Sequence, residues 1–320
     1  MSMRNIVLVP IISIGVVIVS CVSEEVTEAI PEVIPEVKGV CQRNAEARDE
    51  ENISGADNED TAESERFSFF VTSYKSITKL AGRAEGFGGD LRYGETTGLA
   101  GADKICSEIA ELSMPGSAAK EWRAFLSAKK GKNGDGPVHA IERIGDGPWY
   151  DRLGRLVANN PAELQNPRPI CADPAIRNDL PNEFGVPNSI PDGTRFIDNH
   201  HTMTGSTSKG MLYINTVDQN RDPLYDMYST SDVENRPTCD DWTSSEGAGG
   251  PRVGLSWSRR ETLPGTTLGI EWTFGIEWIS EMFEGGCEPG FNFSGGTKDG
   301  SARVGSGGGY GQFYCFALSP

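Results

Sequence analysis

Seven cysteines lie at positions 21, 41, 106, 171, 239, 287 and 315, with no C-x-x-C among them. Their wide, irregular spacing disfavours zinc-ribbon and thioredoxin-like sites, which bring two thiols together over two intervening residues. In an oxidising compartment such cysteines pair, and an odd count leaves one thiol that needs another explanation. Sequence alone leaves the pairing open.

The first cysteine supplies that explanation. Met1–Asn5 carries Arg4, and residues 6–19 form an apolar run broken only by Pro10 and small residues. The run is shorter than the roughly 20 residues of a transmembrane helix. A charged start and a short apolar core describe a secretory signal. The run ends in Ile18-Val19-Ser20-Cys21, which resembles the lipobox of bacterial lipoproteins. That resemblance implies a signal peptide over 1–20, cut before Cys21, and acyl chains such as palmitate on Cys21. It also implies an envelope location, anchored in the outer membrane and facing either the surface or the periplasm. Several acyl chains hold a protein stably where one is marginal. The alternatives are an ordinary signal peptide with an incidental cysteine, or an uncleaved anchor.

Residues 21–66 read as a tether. Ile30-Pro31-Glu32-Val33 repeats as Ile34-Pro35-Glu36-Val37, which favours extended polyproline-type chain. From Ser23 to Arg66 there are fourteen Asp and Glu against four Lys and Arg. Such a stretch buries too little apolar surface to fold alone. Chain of this length reaches about 35–40 Å on average. Most of the net charge of −17 sits there. A chain this acidic repels phosphate backbones, which excludes nucleic acid as a partner class.

Residues 67–320 form the folded part. Gly 39 and Pro 19 point to many turns, and 37% hydrophobic residues suffice for a core. Residues 67–73 (FSFFVTS) read as a first strand. In residues 98–112 (GLAGADKICSEIAEL), Ile105, Ile109 and Leu112 share a helix face with Cys106 at its edge. Residues 121–128 (EWRAFLSA) are a short ordered element, and 211–216 (MLYINT) a strand. Residues 311–318 (GQFYCFAL) are apolar on both alternating sets, which predicts a central strand buried on both faces. The stretches 151–194 and 243–310 read mostly as loop. The expected class is α+β.

Seven landmarks in order resemble the bacterial endostatin-like lipoprotein domain, a relative of the C-type-lectin-like fold that includes leptospiral endostatin-like outer-membrane proteins. They are GLAGADKIC (98–106), WRAFLSA (122–128), RIGDGPWYDRLGRLVA (143–158), TGSTSKG (204–210), TCDDWTSS (238–245), WISEMFEGGC (278–287) and GQFYCFAL (311–318). The resemblance covers nearly all of 67–320. It implies a C-type-lectin-like domain with long loops and disulfides Cys106–Cys315 and Cys239–Cys287. Cys41 and Cys171 then either pair or stay unpaired. It also implies a non-enzymatic, adhesion-type domain whose ligands are extracellular proteins or glycans. The competing readings are a structural envelope protein, and an enzyme on the same scaffold in the manner of formylglycine-generating enzymes.

Motifs for chemistry are sparse. Asp198 and His200 share strand parity as metal ligands, with His201 opposite, but no third ligand stands at suitable spacing. The expectation is no metal and no cofactor. Asp218-x-Asn220-x-Asp222 opens like a calcium loop, but Pro223 and Ser229 stand where an EF-hand needs Gly and Glu. Gly254-Leu255-Ser256-Trp257-Ser258 lacks the second glycine of a nucleophile elbow, and no histidine follows it. No enzyme is expected. Trp257, Arg259, Arg260, Trp272 and Trp278 gather residue types that dominate interfaces, and they are the candidate ligand contacts. The basic cluster Lys129, Lys130 and Lys132 reads as a solvated turn.

Overall fold

The computed structural model describes residue 41 and residues 66–131, 134–214, 236–258, 261–263, 272–274, 276–294 and 299–319. In chain order the elements are β1 (Phe69–Val71), α1 (Tyr74–Ala81), α2 (Gly98–Ser113), β2 (Trp122–Ala124), α3 (Ala140–Arg143), β3 (Trp149–Tyr150) and β4 (Leu156–Ala158). They continue with α4 (Pro161–Leu164), β5 (His201–Met203), β6 (Arg252–Leu255), β7 (Glu261–Leu263), β8 (Trp272–Phe274), β9 (Met282–Phe283) and β10 (Gln312–Ala317). The class is α+β, with short strands and long connections.

The sheet is organised around β10, the strand predicted to be buried on both faces. All six of its residues are buried. It pairs antiparallel with β1 (Phe69 opposite Phe316) and with β2 (Cys315 opposite Ala124), and parallel with β5 (Phe313 opposite Met203). The order runs β1-β10-β5-β6-β9, with β2 also on β10. Side chains alternate across the sheet. Phe313, Cys315 and Ala317 join a cluster with Phe70, Ile105, Ile109 and Trp122. Tyr314 and Phe316 join a second cluster with Phe69, Phe125, Trp149 and Trp278. Burying each large apolar side chain contributes about 1.5–3 kcal/mol.

The predicted helix is α2. Thr97 caps it by accepting from the Ala100 N–H at 3.2 Å. Its buried stripe comprises Leu99, Ala102, Ile105, Cys106, Ile109 and Ala110, while Leu112 is exposed. A side chain at Gly101 would lie 2.0 Å from the Leu91 carbonyl, so only glycine permits this approach. α1 begins at a Ser73 cap whose hydroxyl donates to Glu183 at 2.6 Å. Burial raises the Glu183 carboxyl above its ordinary value, with Ser73 and Ser76 opposing.

The strand expected at 211–216 is not found over its described part. Residues 211–214 are no strand: Thr207 N–H donates to the Met211 carbonyl and Gly210 N–H to that of Thr207, so the chain reverses there, leaving one bridge, Ser206 to Leu212. The stretch 243–310 is mostly loop, as expected, but it also supplies β6 and β9 to the central sheet, paired at Arg252–Phe283 and Val253–Met282, and the antiparallel pair β7–β8. Strands of two to four residues are too short to show alternation in sequence.

All three cysteine pairs are disulfides: Cys41–Cys171, Cys106–Cys315 and Cys239–Cys287. Cys106–Cys315 joins α2 to β10 through the core. Cys41–Cys171 ties the tether to the domain, so the boundary expected at 67 is crossed by a covalent link. Residues Pro35–Pro320 group as one unit accordingly.

Candidate functional site

The Cys239–Cys287 bridge holds an unusual piece of backbone. Cys239, Asp240, Asp241 and Trp242 all take positive φ, from 44° to 63°, forming one left-handed turn. That conformation costs each L-residue roughly 1–2 kcal/mol. Trp242 offsets the cost: it is fully buried and its indole N–H donates to the Ser127 carbonyl at 2.8 Å. Gly98 lies under the turn, where a Cβ would stand 2.3 Å from the Trp242 carbonyl. Asp241 accepts from the Lys129 N–H at 2.6 Å, so the backbone at Lys129 docks on this turn.

The second feature is a row of rings running inward from the surface. Phe196 is 60% exposed. It packs edge-on over Trp257 at 5.1 Å, Trp257 lies 4.9 Å from His200, and His200 lies 4.3 Å from His201. Trp257 is fixed by its indole N–H, which donates to Asn199 Oδ1 at 2.8 Å. Its backbone pairs with Asp179, beside the Leu180 N–H bond to the Ser256 carbonyl. Arg168 lies beneath and donates to the Arg177, Leu255 and Ser256 carbonyls at 2.8, 2.6 and 2.9 Å. Burial lowers its pKa to about 10, so it stays charged at neutral pH.

The row ends in two carboxylate–imidazole pairs. His200 Nδ1 bonds Asp198 Oδ1, and His201 Nδ1 bonds Glu284 Oε1 at 2.6 Å. Glu284 Oε2 accepts from Ser306 Oγ at 2.7 Å and from the Gly307 N–H at 2.9 Å. Burial pushes the Glu284 carboxyl up, but His201, Ser306 and Gly307 outweigh it and hold it below the ordinary carboxylate range. The glycine-rich loop 305–309 closes over both rings; a Cβ at Gly307 would stand 2.3 Å from His201 Cε1. Asp198 is thus a hydrogen-bond partner of His200. Among the described residues no group of three His, Cys, Asp or Glu could hold a metal ion.

Of the ligand contacts expected from sequence whose side chains are described, Trp257 and Trp278, the structure brings Trp257 to this row. Trp278 is fully buried, with its indole N–H on the Leu164 carbonyl and its ring against Phe125 and Tyr314. It is a core residue, because a wide apolar ring between two packed strands has no route to solvent. The backbone at Trp272 lies in β8, paired with Leu263. Arg259 and Arg260 lie outside the described residues, as do Cys21 and the calcium-like stretch 218–229. Phe196 was not anticipated. Its sequence signal is a lone large aromatic in the polar turn Pro191-Asp192-Gly193-Thr194-Arg195.

Comparison with protein-family models, curated proteins and solved structures finds no match to this chain. Among the described residues no helix is long and apolar enough to cross a membrane.

Proposed function

We propose that the protein is a lipid-anchored envelope lipoprotein of the endostatin-like, C-type-lectin-like type. It displays a non-enzymatic binding domain for extracellular proteins or glycans. The anchor reading rests on the Ile-Val-Ser-Cys end of a short apolar run. The observation that carries the binding reading is Phe196, a large aromatic held 60% exposed over a fixed Trp257. An exposed aromatic on a rigid base loses little conformational freedom when it binds, and aromatics are frequent interface anchors. The chain runs from Trp257 directly to Arg259 and Arg260. The competing reading, a structural envelope protein, needs no such exposed ring.

Two results are expected. Cys21→Ala abolishes incorporation of a radiolabelled fatty acid in cells; equal labelling of mutant and wild type removes the anchor from the proposal. A screen of the mature chain against matrix proteins and a glycan panel yields a ligand whose affinity falls about tenfold or more in Phe196→Ala and in Arg259→Ala/Arg260→Ala. That is the loss of an interface anchor contributing more than about 1 kcal/mol. Replacing Lys129, Lys130 and Lys132 leaves the same affinity nearly unchanged. A loss confined to the lysine variant moves the contact surface away from Trp257.

A further inference from the structure

The three disulfides differ sharply in access. Cys106, Cys315, Cys239 and Cys287 are each 0% exposed. Cys106–Cys315 lies in the core between α2 and β10, and Cys239 is pressed against Gly89, where a Cβ would stand 2.5 Å from the Cys239 Cβ. Cys171 is 8% exposed and Cys41 is partly exposed. Cys41–Cys171 is the bridge a solution thiol can reach.

We propose that Cys41–Cys171 is a thiol–disulfide exchange site, opened by a dithiol reductant while the other two bridges persist. The surroundings of Cys171 are held without help from the bridge. The Ile170 N–H donates to the Glu163 carbonyl at 3.1 Å, and the Asp173 N–H to that of Leu156 at 2.8 Å. Opening the bridge therefore leaves this corner of the fold hydrogen-bonded. Exchange follows from which sulfur is exposed. A thiolate of the reductant attacks Cys41 Sγ, forming a mixed disulfide and breaking the Cys41–Cys171 bond. Cys171 leaves as thiolate. Arg177 stands nearby, its Nη2 donating to the adjacent Ala172 carbonyl at 2.9 Å and its buried Nε without a partner. A neighbouring guanidinium favours a leaving thiolate. The reductant's second thiol then attacks its own sulfur in the mixed disulfide and releases Cys41. Two electrons and two protons pass from the dithiol to the protein, which ends with two free thiols.

The consequence rests on the lipid-anchor reading of Cys21. With the bridge closed, roughly 20 residues of chain separate Cys21 from its attachment to the domain; with it open, roughly 45 do. On the sequence reading of 21–66 as a tether, the longer free chain lets the domain stand farther from the membrane. The exchange site sets the height of the binding domain.

Graded native reduction with dithiothreitol, followed by iodoacetamide and peptide mass mapping, tests the site. Cys41 and Cys171 are expected to take label at reductant concentrations that leave the other four cysteines unlabelled and the far-ultraviolet circular dichroism unchanged. Labelling of Cys239, Cys287, Cys106 or Cys315 first, or of all six only on unfolding, overturns the proposal. The height is tested with the chain from residue 22 bound through an N-terminal hexahistidine tag to nickel-chelating vesicles, so that native lipidation plays no part. Energy transfer from a fluorophore on the domain to a labelled headgroup is expected to drop on reduction, and to start at that lower value in Cys41→Ser/Cys171→Ser. Equal transfer in wild type and double variant overturns the height effect. Failure of fatty-acid labelling at Cys21 touches neither result.

Discussion

Replacing Cys106 and Cys315 together by alanine is expected to lower the unfolding free energy by about 5 kcal/mol. The bridge spans a sequence separation of 209. Closing a loop that long removes a large share of the unfolded chain's freedom, about 5 kcal/mol in the chain-entropy account. A second cost adds to it. Both sulfurs are buried in the cluster with Phe70, Ile109 and Trp122, so their removal leaves space the packed sheet and helix fill only partly. A typical domain has only about 5–15 kcal/mol in total. Urea unfolding of wild type and the double variant, both followed by tryptophan fluorescence, measures the difference. A loss below about 1 kcal/mol would mean that α2 and β10 hold together without the link, and that the chain-entropy argument fails here.

The two elements joined by that bridge were the most legible parts of the sequence. β10 is apolar at every position, and both of its faces are covered by separate clusters. α2 shows Ile105 and Ile109 one turn apart under a threonine cap. Strong periodicity and continuous burial leave little freedom of interpretation. The pairing of Cys106 with Cys315 and of Cys239 with Cys287 came from resemblance rather than from spacing, and the structure contains both pairs.

What stayed illegible has a physical reason in each case. β5 is His201-Thr202-Met203, a sequence with no strand-like run, yet all three residues are buried. Its polarity is absorbed by partners far away in the chain: Glu284 for His201, and Gln312, whose Nε2 donates to Thr202 Oγ1 at 3.5 Å. Tryptophan is ambiguous because the same ring serves cores and surfaces. Trp278 spends its N–H inside on Leu164, whereas Trp257 lies beneath an exposed Phe196. No local pattern distinguishes them, since the difference is made by distant partners: Phe125 and Tyr314 for Trp278, Phe196 and His200 for Trp257.

The last expected result concerns the buried Glu284. Glu284→Ala is expected to cost about 3–5 kcal/mol at pH 7, since each buried polar group left without its hydrogen-bond partner costs about 1–3 kcal/mol and His201 Nδ1 is the first of them. It also strands Ser306 Oγ and the Gly307 N–H, both now bonded to Oε2. The more diagnostic variant is Glu284→Gln, which keeps the shape and removes the ionisable group. The Glu284 carboxyl is held below its ordinary value in the folded chain. Its contribution is therefore complete above the unfolded value, near 4.3, and is lost as pH falls through the folded value. Between those two values the unfolded chain takes up the proton first, and stability declines. Wild type alone does not isolate this, because burial raises Glu183, Asp179 and Glu277, whose contributions run the opposite way. The difference between wild type and Glu284→Gln cancels them. Urea unfolding of both proteins at pH 7, 5, 4 and 3 should show that difference near its full size down to about pH 5 and shrinking below it. A difference constant across the four pH values would mean that the Glu284 carboxyl is not held below its ordinary value in the folded chain.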